Sequence, residues 1–142
     1  MGRILAIDYG QKRVGIAATD ELQLISNAVA TVRSVDIWKF IEDYLKENSV
    51  DAIVVGEAKD LMNKPSDSSR FIEPFVKKLT KKYPKLKIER FDERFTSKIA
   101  FSAMIEGGLS KKRRKDKALI DKLSATILLQ SYLDALGKRS KL

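Results

Sequence analysis

The fold is decided by a short apolar run near the start of the chain, Ile4-Leu5-Ala6-Ile7-Asp8-Tyr9-Gly10. Four consecutive apolar residues bounded by turn-forming residues are typical of a strand that is buried on both faces of a sheet. The run carries one carboxylate, Asp8, at its end. Because a buried carboxylate is costly unless a positive group or hydrogen-bond donors meet it, we expect a cation, a metal ion or a dense hydrogen-bond network beside Asp8.

The segment that follows predicts an antiparallel meander. Gly10, Gln11 and Lys12 form a turn signal, and residues 14–19 resume as a second apolar run. This pattern is typical of a hairpin in which glycine supplies the turn. Residues 28–32 predict a third short strand.

A helix and a buried strand come next. Ser34 or Asp36 is placed to cap the helix, and its apolar residues recur at helical spacing: Ile37, Phe40, Ile41, Tyr44 and Leu45. Residues 52–56 then form another continuous apolar strand. A strand, a helix and a strand in this order require a crossover connection and predict at least one parallel strand pair.

The second half of the chain alternates in the same way. Residues 71–79 predict a helix, and residues 86–91 alternate apolar and charged side chains like a strand with one wetter face. A helix is predicted between Thr96 and Gly107, and a final one over about residues 117–136. Together these elements predict a single domain covering residues 1–142.

Composition limits the chemistry and suggests the partner. The chain has 28 Lys and Arg against 19 Asp and Glu, a net charge of +9, and a pI of about 9.7. A basic domain of this kind favours a polyanionic partner, and a nucleic acid or an acidic membrane surface would each fit. Neither His nor Cys is present, so only oxygen ligands are available to a metal, which favours Mg²⁺ or Mn²⁺. With no apolar run long enough to span a bilayer and no signal peptide, we expect a cytoplasmic protein without a membrane partner.

Acidic residues at inward-facing positions predict a catalytic site. Asp8 ends the first strand, Asp92 and Glu93 end the last, and Asp121 precedes Ala125 by one turn on the final helix. If the first and last strands are parallel neighbours, their carboxyl ends adjoin, where open sheets place ligands. Close carboxylates repel, and one or two divalent cations would relieve this repulsion and orient water for attack on a phosphodiester.

Each acid also has a structural interpretation. Asp8 would serve in a turn, by accepting hydrogen bonds from backbone amides. Asp92 and Glu93 would favour the start of the following helix, where acids complement the helix dipole. Asp121 would pair with a lysine on its own helix.

Several cations are candidates for holding phosphates beside these acids. Arg13 follows Asp8, Arg94 follows Glu93, and a basic run precedes the final helix: Lys111, Lys112, Arg113, Arg114 and Lys115. Such a run would supply salt-dependent, sequence-independent affinity for nucleic acid. The alternative is a plain solvated segment.

Four segments, in this order, resemble the YqgF family, a group described as Holliday-junction resolvases or pre-16S rRNA nucleases within the RNase H-like superfamily. They are Ile7-Asp8-Tyr9-Gly10 with Arg13-Val14-Gly15-Ile16-Ala17, then Ile53-Val54-Val55-Gly56, then Asp92-Glu93-Arg94-Phe95-Thr96-Ser97, and Asp121 with Ser124-Ala125 and residues 127–134. The resemblance covers nearly the whole chain. It departs from the family pattern after Gly56, where Glu57-Ala58 and Lys64-Pro65 stand, so substrate contacts by that loop are open.

The resemblance implies an α/β, RNase H-like fold with a five-stranded mixed sheet, an antiparallel meander followed by parallel strands, flanked by helices. It places the catalytic and metal-binding acids on Asp8, Glu93 and Asp121, with Asp92 as the substitute for Glu93. The implied activity is a cytoplasmic, Mg²⁺-dependent nuclease that matures the 5′ end of 16S rRNA, with the ribosome or its precursor as partner.

Other functions stay open at this point. The substrate is structured RNA or branched DNA, and the protein is a monomer or a homodimer. RNase H-like domains also serve as catalytically silent nucleic-acid-binding modules. An actin-like ATPase also places an Asp and a Gly before a hairpin, but it needs two lobes of this kind and 142 residues provide one.

Overall fold

The computed structural model describes residues 2–57, 69–92 and 117–137. Within them the chain forms five strands and three helices: β1 Arg3–Tyr9, β2 Arg13–Thr19, β3 Ser26–Arg33, α1 Ile37–Glu47, β4 Val50–Glu57, α2 Ser69–Lys82, β5 Lys87–Asp92 and α3 Lys117–Ala135. Each of these elements was predicted from the sequence. The helix predicted between Thr96 and Gly107 lies outside the described residues.

The strands form one mixed sheet in the order β3-β2-β1-β4-β5. β1 is antiparallel to β2, and β2 to β3, whereas β4 is parallel to both β1 and β5. The meander followed by parallel strands is therefore confirmed. The expectation that the first and last strands are neighbours is wrong, because β4 lies between them. Residues 52–56 of β4 are all buried, which suits an interior strand. The more polar β5 is the outermost strand on that side of the sheet.

Two layers of side chains cover the sheet. Leu5 and Ile7 belong to the cluster that packs on α1 and α2, and they meet helical residues that include Ile41, Phe75 and Leu79. The other face carries Ile4, Ala6, Ala17 and Val54, which pack against α3 through Ala125, Leu128, Leu129, Tyr132 and Leu133. The two central strands are thus buried on both faces, as the apolar run at residues 4–7 predicts.

The start of α1 differs from the prediction in one detail. Residues Ser34–Asp36 form a 3₁₀ turn, and Asp36 makes no side-chain capping hydrogen bond. Its φ of −101° and ψ of 0° lie outside the extended region from which capping side chains act. The Ser34 hydroxyl instead donates to the Gln11 carbonyl at 2.7 Å and joins the start of the helix to the first hairpin.

None of the helices in the described residues is long and apolar enough to cross a membrane.

Replacing Gly10 with Ala should destabilise the first hairpin. The Gly10 amide donates to the Arg13 carbonyl at 2.9 Å, and a Cβ on Gly10 would lie 2.5 Å from that same oxygen. We expect Gly10→Ala to lower the free energy of unfolding by about 1–3 kcal/mol, measured by urea denaturation. The exposed neighbour gives the control, since Gln11→Ala should stay within about 0.5 kcal/mol of the parent protein. Equal stability of Gly10→Ala and the parent protein would contradict this description of the turn.

Candidate active site at the sheet edge

The ends of several strands lie side by side along one edge of the sheet. The carboxyl ends of β1, β4 and β5 lie at this edge because these strands are parallel, and β3 ends there too. Three acids are among the last two residues of their strands: Asp8 on β1, Glu57 on β4 and Asp92 on β5. The edge therefore carries several carboxylates where open α/β sheets bind ligands.

The acids do not all lie on the same face of the sheet. Side chains alternate along a strand, and Ile4 and Ala6 face α3, so Asp8 lies on the α3 face as well. Asp92 lies on the same face of β5 as Ile88 and Arg90, because these residues are two positions apart along the strand. Ile88 packs against the α1/α2 cluster, and Arg90 binds Glu73 of α2. Asp92 therefore lies on the face opposite to Asp8.

Glycines stand on both sides of Asp8. Gly15 of β2 is its direct partner in the ladder, and Gly56 of β4 is level with it, one residue beyond the Ile7–Val55 pair. Glycine within a strand often marks a place where a ligand approaches the sheet closely. The residues level with Asp8 across the sheet run from Thr31 of β3 to Phe91 of β5. Between these two, Asp8 is the residue that carries a side chain, because the other two positions are glycines. The two strands that flank β1 thus place only glycines at the level of the half-buried Asp8.

Two arginines lie at the same edge and on the same face. Arg13 opens β2, Arg33 closes β3, and the two are direct partners in the antiparallel ladder. Arg13 is two residues from Gly15 and therefore lies on the same face of β2. Arg13 and Arg33 thus lie on the α3 face, as Asp8 does. Two guanidinium groups close together are donors of the kind that bind phosphate oxygens. Sequence reasoning named Arg13 and missed Arg33, whose signal was its position at the end of the third apolar run.

The predicted site residues are described to different extents. Asp8, Arg13 and Asp92 lie in strands at this edge. Asp121 belongs to α3, four residues before the buried Ala125, and its side chain lies outside the described part. Glu93, Arg94 and the run Lys111, Lys112, Arg113, Arg114 and Lys115 also lie outside it, so their roles remain predictions. Among the described side chains, no group of three acids is arranged to hold a metal ion.

An ion pair supports the edge from the α2 side. Arg90 donates from both terminal nitrogens to the Glu73 carboxylate at 2.9 Å, and its Nη2 also lies 3.4 Å from the Gly56 carbonyl. The hydrogen bond from Arg90 lowers the pKa of Glu73 and outweighs desolvation, which raises that pKa. Arg90 thus joins α2 to the end of β4, next to the glycine that flanks Asp8. Sequence reasoning did not identify this pair, because nothing in the pattern places residue 73 beside residue 90.

Comparison with known proteins now identifies the family. A family profile described as "RuvX: Holliday junction resolvase" matches residues 2–135. The chain belongs to the RuvX family. A relative from Christiangramia forsetii is 52% identical over 133 residues, covering 94% of this chain and 98% of the relative. Another from Parabacteroides distasonis is 52% identical over 135 residues, with 95% and 96% covered. Both are named as predicted pre-16S rRNA nucleases.

Solved structures confirm the fold expected for a RuvX protein. Thermus thermophilus RuvC bound to a Holliday junction substrate superposes with a TM-score of 0.57 at 13% identity, covering 97% of this chain and 98% of RuvC. A second RuvC structure from the same organism gives a TM-score of 0.56. At this identity the likeness concerns the fold alone, and it confirms the RNase H-like architecture with its five-stranded mixed sheet.

Protonation of Glu73 should weaken the support of the site edge. Its lowered pKa means that the ion pair stabilises the protein above the ordinary glutamate pKa of about 4.3, and that this contribution is lost as pH falls through the lowered value. Because the Glu73 side chain is 48% exposed, we expect Glu73→Gln to cost at most about 1 kcal/mol near neutral pH. Urea unfolding should show this difference in the free energy of unfolding between about pH 6 and 8. The difference should decline below about pH 4.

A control is available on the same protein. Glu42→Gln removes one partner of an exposed α1 pair, with side chains 52% and 68% exposed, and should change stability less. A Glu73→Gln difference that persists unchanged in acid would contradict the assignment.

Proposed function

We propose that this protein is a metal-dependent endonuclease that hydrolyses phosphodiester bonds in structured nucleic acid, and that its substrate is the precursor of 16S rRNA, cut at the 5′ end. In this proposal, residues 1–142 act as one cytoplasmic nuclease domain. The observation that carries the proposal is the position of Asp8, half-buried at the sheet edge and flanked by Gly15 and Gly56. Membership of the RuvX family and the names of the relatives support it.

Asp8, Glu93 and Asp121 are proposed as the catalytic carboxylates that hold Mg²⁺ or Mn²⁺. The donor set fits a hard divalent cation, because this chain without His or Cys offers only oxygen ligands, and Asp8 lies at the edge where open α/β sheets bind ligands. Bound there, the cation would lower the pKa of a water molecule and stabilise charge on the leaving oxygen. The chain's own part is to present the carboxylates from a rigid sheet and a packed helix.

The choice of Glu93 over its neighbour Asp92 is supported by the alternation along β5. Phe91 packs edge-on against Tyr132 of α3, with ring centroids 6.2 Å apart, so it occupies the α3 face. Asp92 follows on the opposite face. In an extended strand the α3 face is reached again two residues after Phe91, at position 93. This argument leaves Asp92 as a weaker substitute.

Cations beside the acids are proposed to hold the substrate backbone. Arg13 and Arg33 form a like-charged pair on the α3 face, at the strand ends nearest to Asp8. Together with Arg94 and the run Lys111 to Lys115, they would bind phosphates and fix the register of the substrate without reading its bases. Contacts to phosphates alone leave the choice between RNA and DNA to the shape of the substrate.

Two alternatives remain as outcomes of the experiment. The family description names a Holliday junction resolvase, so branched DNA is the second candidate substrate. Symmetric cleavage of a four-way junction would favour a homodimer, whereas processing of an RNA end would not require one. A catalytically silent binding module is disfavoured by a carboxylate at the sheet edge, since a module that only binds polyanions gains nothing from a negative charge there.

Asp8→Asn should abolish cleavage and leave the fold intact. The amide keeps the size of the carboxylate but removes the charge that holds the cation, so we expect a loss of at least about 10³-fold in rate. The assay compares a precursor 16S rRNA fragment and a synthetic four-way DNA junction, each with Mg²⁺ or Mn²⁺. Thermal unfolding of the variant checks the fold. Retained activity in folded Asp8→Asn would contradict the site, and cleavage of the junction alone would replace rRNA by branched DNA.

Asp92 and Glu93 should respond differently to the removal of one negative charge. Glu93→Gln should lose activity as severely as Asp8→Asn, whereas Asp92→Asn should keep its rate within about 10-fold, because Asp92 lies on the α2 face. The two variants are matched controls, since each removes one negative charge at neighbouring positions. The reverse order of effects would assign the metal ligand to Asp92 and contradict the proposed face.

A further inference from the structure

The exposed side of α2 carries an unusual concentration of positive charge. Between Ser69 and Lys82 the helix contains five cationic residues and one acid, Glu73, which is bound by Arg90. Four exposed lysines recur one helical turn apart: Lys77, Lys78, Lys81 and Lys82. Lysines spaced by one turn line the same side of a helix, and we call these four the α2 lysine face.

One described acid, Glu73, lies close enough to this face to interact with Lys77, and Arg90 already binds its carboxylate. The described ion pairs of α1, by contrast, pair Lys39 with Asp43 and Lys46 with Glu42, so that helix compensates its own lysines. Within the described residues, no lysine of the α2 lysine face lies within ion-pair distance of a carboxylate. The face therefore presents a repulsive array of like charges, which a bound polyanion would stabilise.

An aromatic side chain orders part of the α2 lysine face. The ammonium groups of Lys78 and Lys82 lie 4.7 and 5.5 Å from the centroid of the Trp38 ring. Trp38 itself packs against Phe75, with ring centroids 5.1 Å apart, and Phe75 stacks on Tyr9 at 4.4 Å. Cation–π contacts hold the two lysines close to the protein surface. Part of the entropy of ordering these lysines on a ligand is therefore lost before binding.

The apolar side of α2 decides which polyanion fits. Helices that bind membranes insert an apolar face into the lipid, but here Ile72, Phe75 and Leu79 are buried in the core between α2 and the sheet. The exposed surface of α2 is therefore mainly cationic, and its exposed large apolar side chain, Phe71, lies in the first turn. Contact through charges alone is the mode of binding to a nucleic-acid backbone, in which lysines meet phosphates without reading bases.

We propose that the α2 lysine face binds the phosphate backbone of a second arm of the structured nucleic acid that is cleaved at the Asp8 edge. The inference rests on the proposed function and adds a reason for selecting structured substrates. The α2 lysine face and the α3 face, which carries Asp8, lie on opposite sides of the sheet. One short helical arm cannot contact both, so a substrate with two arms gains affinity that a simple hairpin does not.

The test measures binding without cleavage. Fluorescence anisotropy in EDTA compares a labelled RNA three-way junction with a hairpin that contains only the arm to be cut. The variant Lys77→Gln/Lys81→Gln removes two charges from the face without touching the Trp38 contacts. Its matched control, Lys39→Gln/Lys46→Gln, removes two charges from α1. A second pair, Lys78→Gln/Lys82→Gln, tests the two lysines held over Trp38.

The lysine-face variants should lose affinity for the junction and not for the hairpin. At about 0.1 M salt, we expect the Kd for the junction to rise about 10- to 60-fold, and the slope of log K against log salt to fall by about 1–2, as follows from roughly 0.9 per lost phosphate contact. The α1 control should change neither value appreciably. Equal losses in the control, unchanged junction binding, or an equal loss for the hairpin would each overturn the proposal.

The outcome is separable from that of the proposed function. Cleavage is tested by Asp8→Asn, whereas the lysine face is tested by binding in the absence of metal. Loss of junction affinity in the lysine variants supports the second contact even if the protein cuts neither substrate. Failure of the α2 lysine face would leave the assignment of Asp8 intact.

Discussion

The two-residue alternation of side chains along β1 is the constraint on which the site depends. Leu5 and Ile7 are fully buried against α1 and α2, and Ile4 and Ala6 are buried against α3. With both faces committed, a slip of one residue would exchange these two sets between the clusters and would move Asp8 to the other side of the sheet. The core therefore fixes the face on which the carboxylate lies, and the flanking glycines follow from the register of β2 and β4.

The opposite edge of the sheet is fastened by buried polar groups. The Ile4 amide donates to the Thr19 hydroxyl at 2.9 Å, and the Gln23 amide nitrogen donates to both the Gly2 carbonyl and the Asp51 carboxylate. Gln23 has a φ of +59°, a conformation that costs energy in a residue with a side chain and is maintained by these bonds. The molecule thus places buried, hydrogen-bonded polar groups at one edge and carboxylates together with arginines at the other, where ligands are expected.

The sequence predicts the elements well because their patterns are local. Apolar runs on β1 and β4, helical spacing on α1 and the turn at Gly10 each depend on a few neighbouring residues. Strand order is not local, and the expectation that β1 and β5 are neighbours failed because no pattern shows that β4 lies between them. The capping role given to Asp36 failed because a 3₁₀ turn changes its backbone angles.

The candidate site was predicted in part for the same reason. Asp8 and Arg13 were named because they lie beside a recognisable strand and turn. The role of Gly15 and Gly56 and the pairing of Arg33 with Arg13 depend on the register between strands, which only the structure provides. The choice between Asp92 and Glu93 was open in the sequence; the packing of Phe91 and Ile88 on opposite faces places Asp92 on the α2 face, whereas Glu93 lies outside the described residues.

We propose that a divalent cation binds on the α3 face beside Asp8. Anomalous diffraction from a crystal soaked in Mn²⁺ tests it most directly, because the signal locates the ion without an assumption about activity. We predict a peak within bonding distance of the Asp8 carboxylate, on the side of the sheet covered by α3. A peak beside Asp92 on the α2 face, or no peak in a crystal whose edge is open to solvent, would contradict the account.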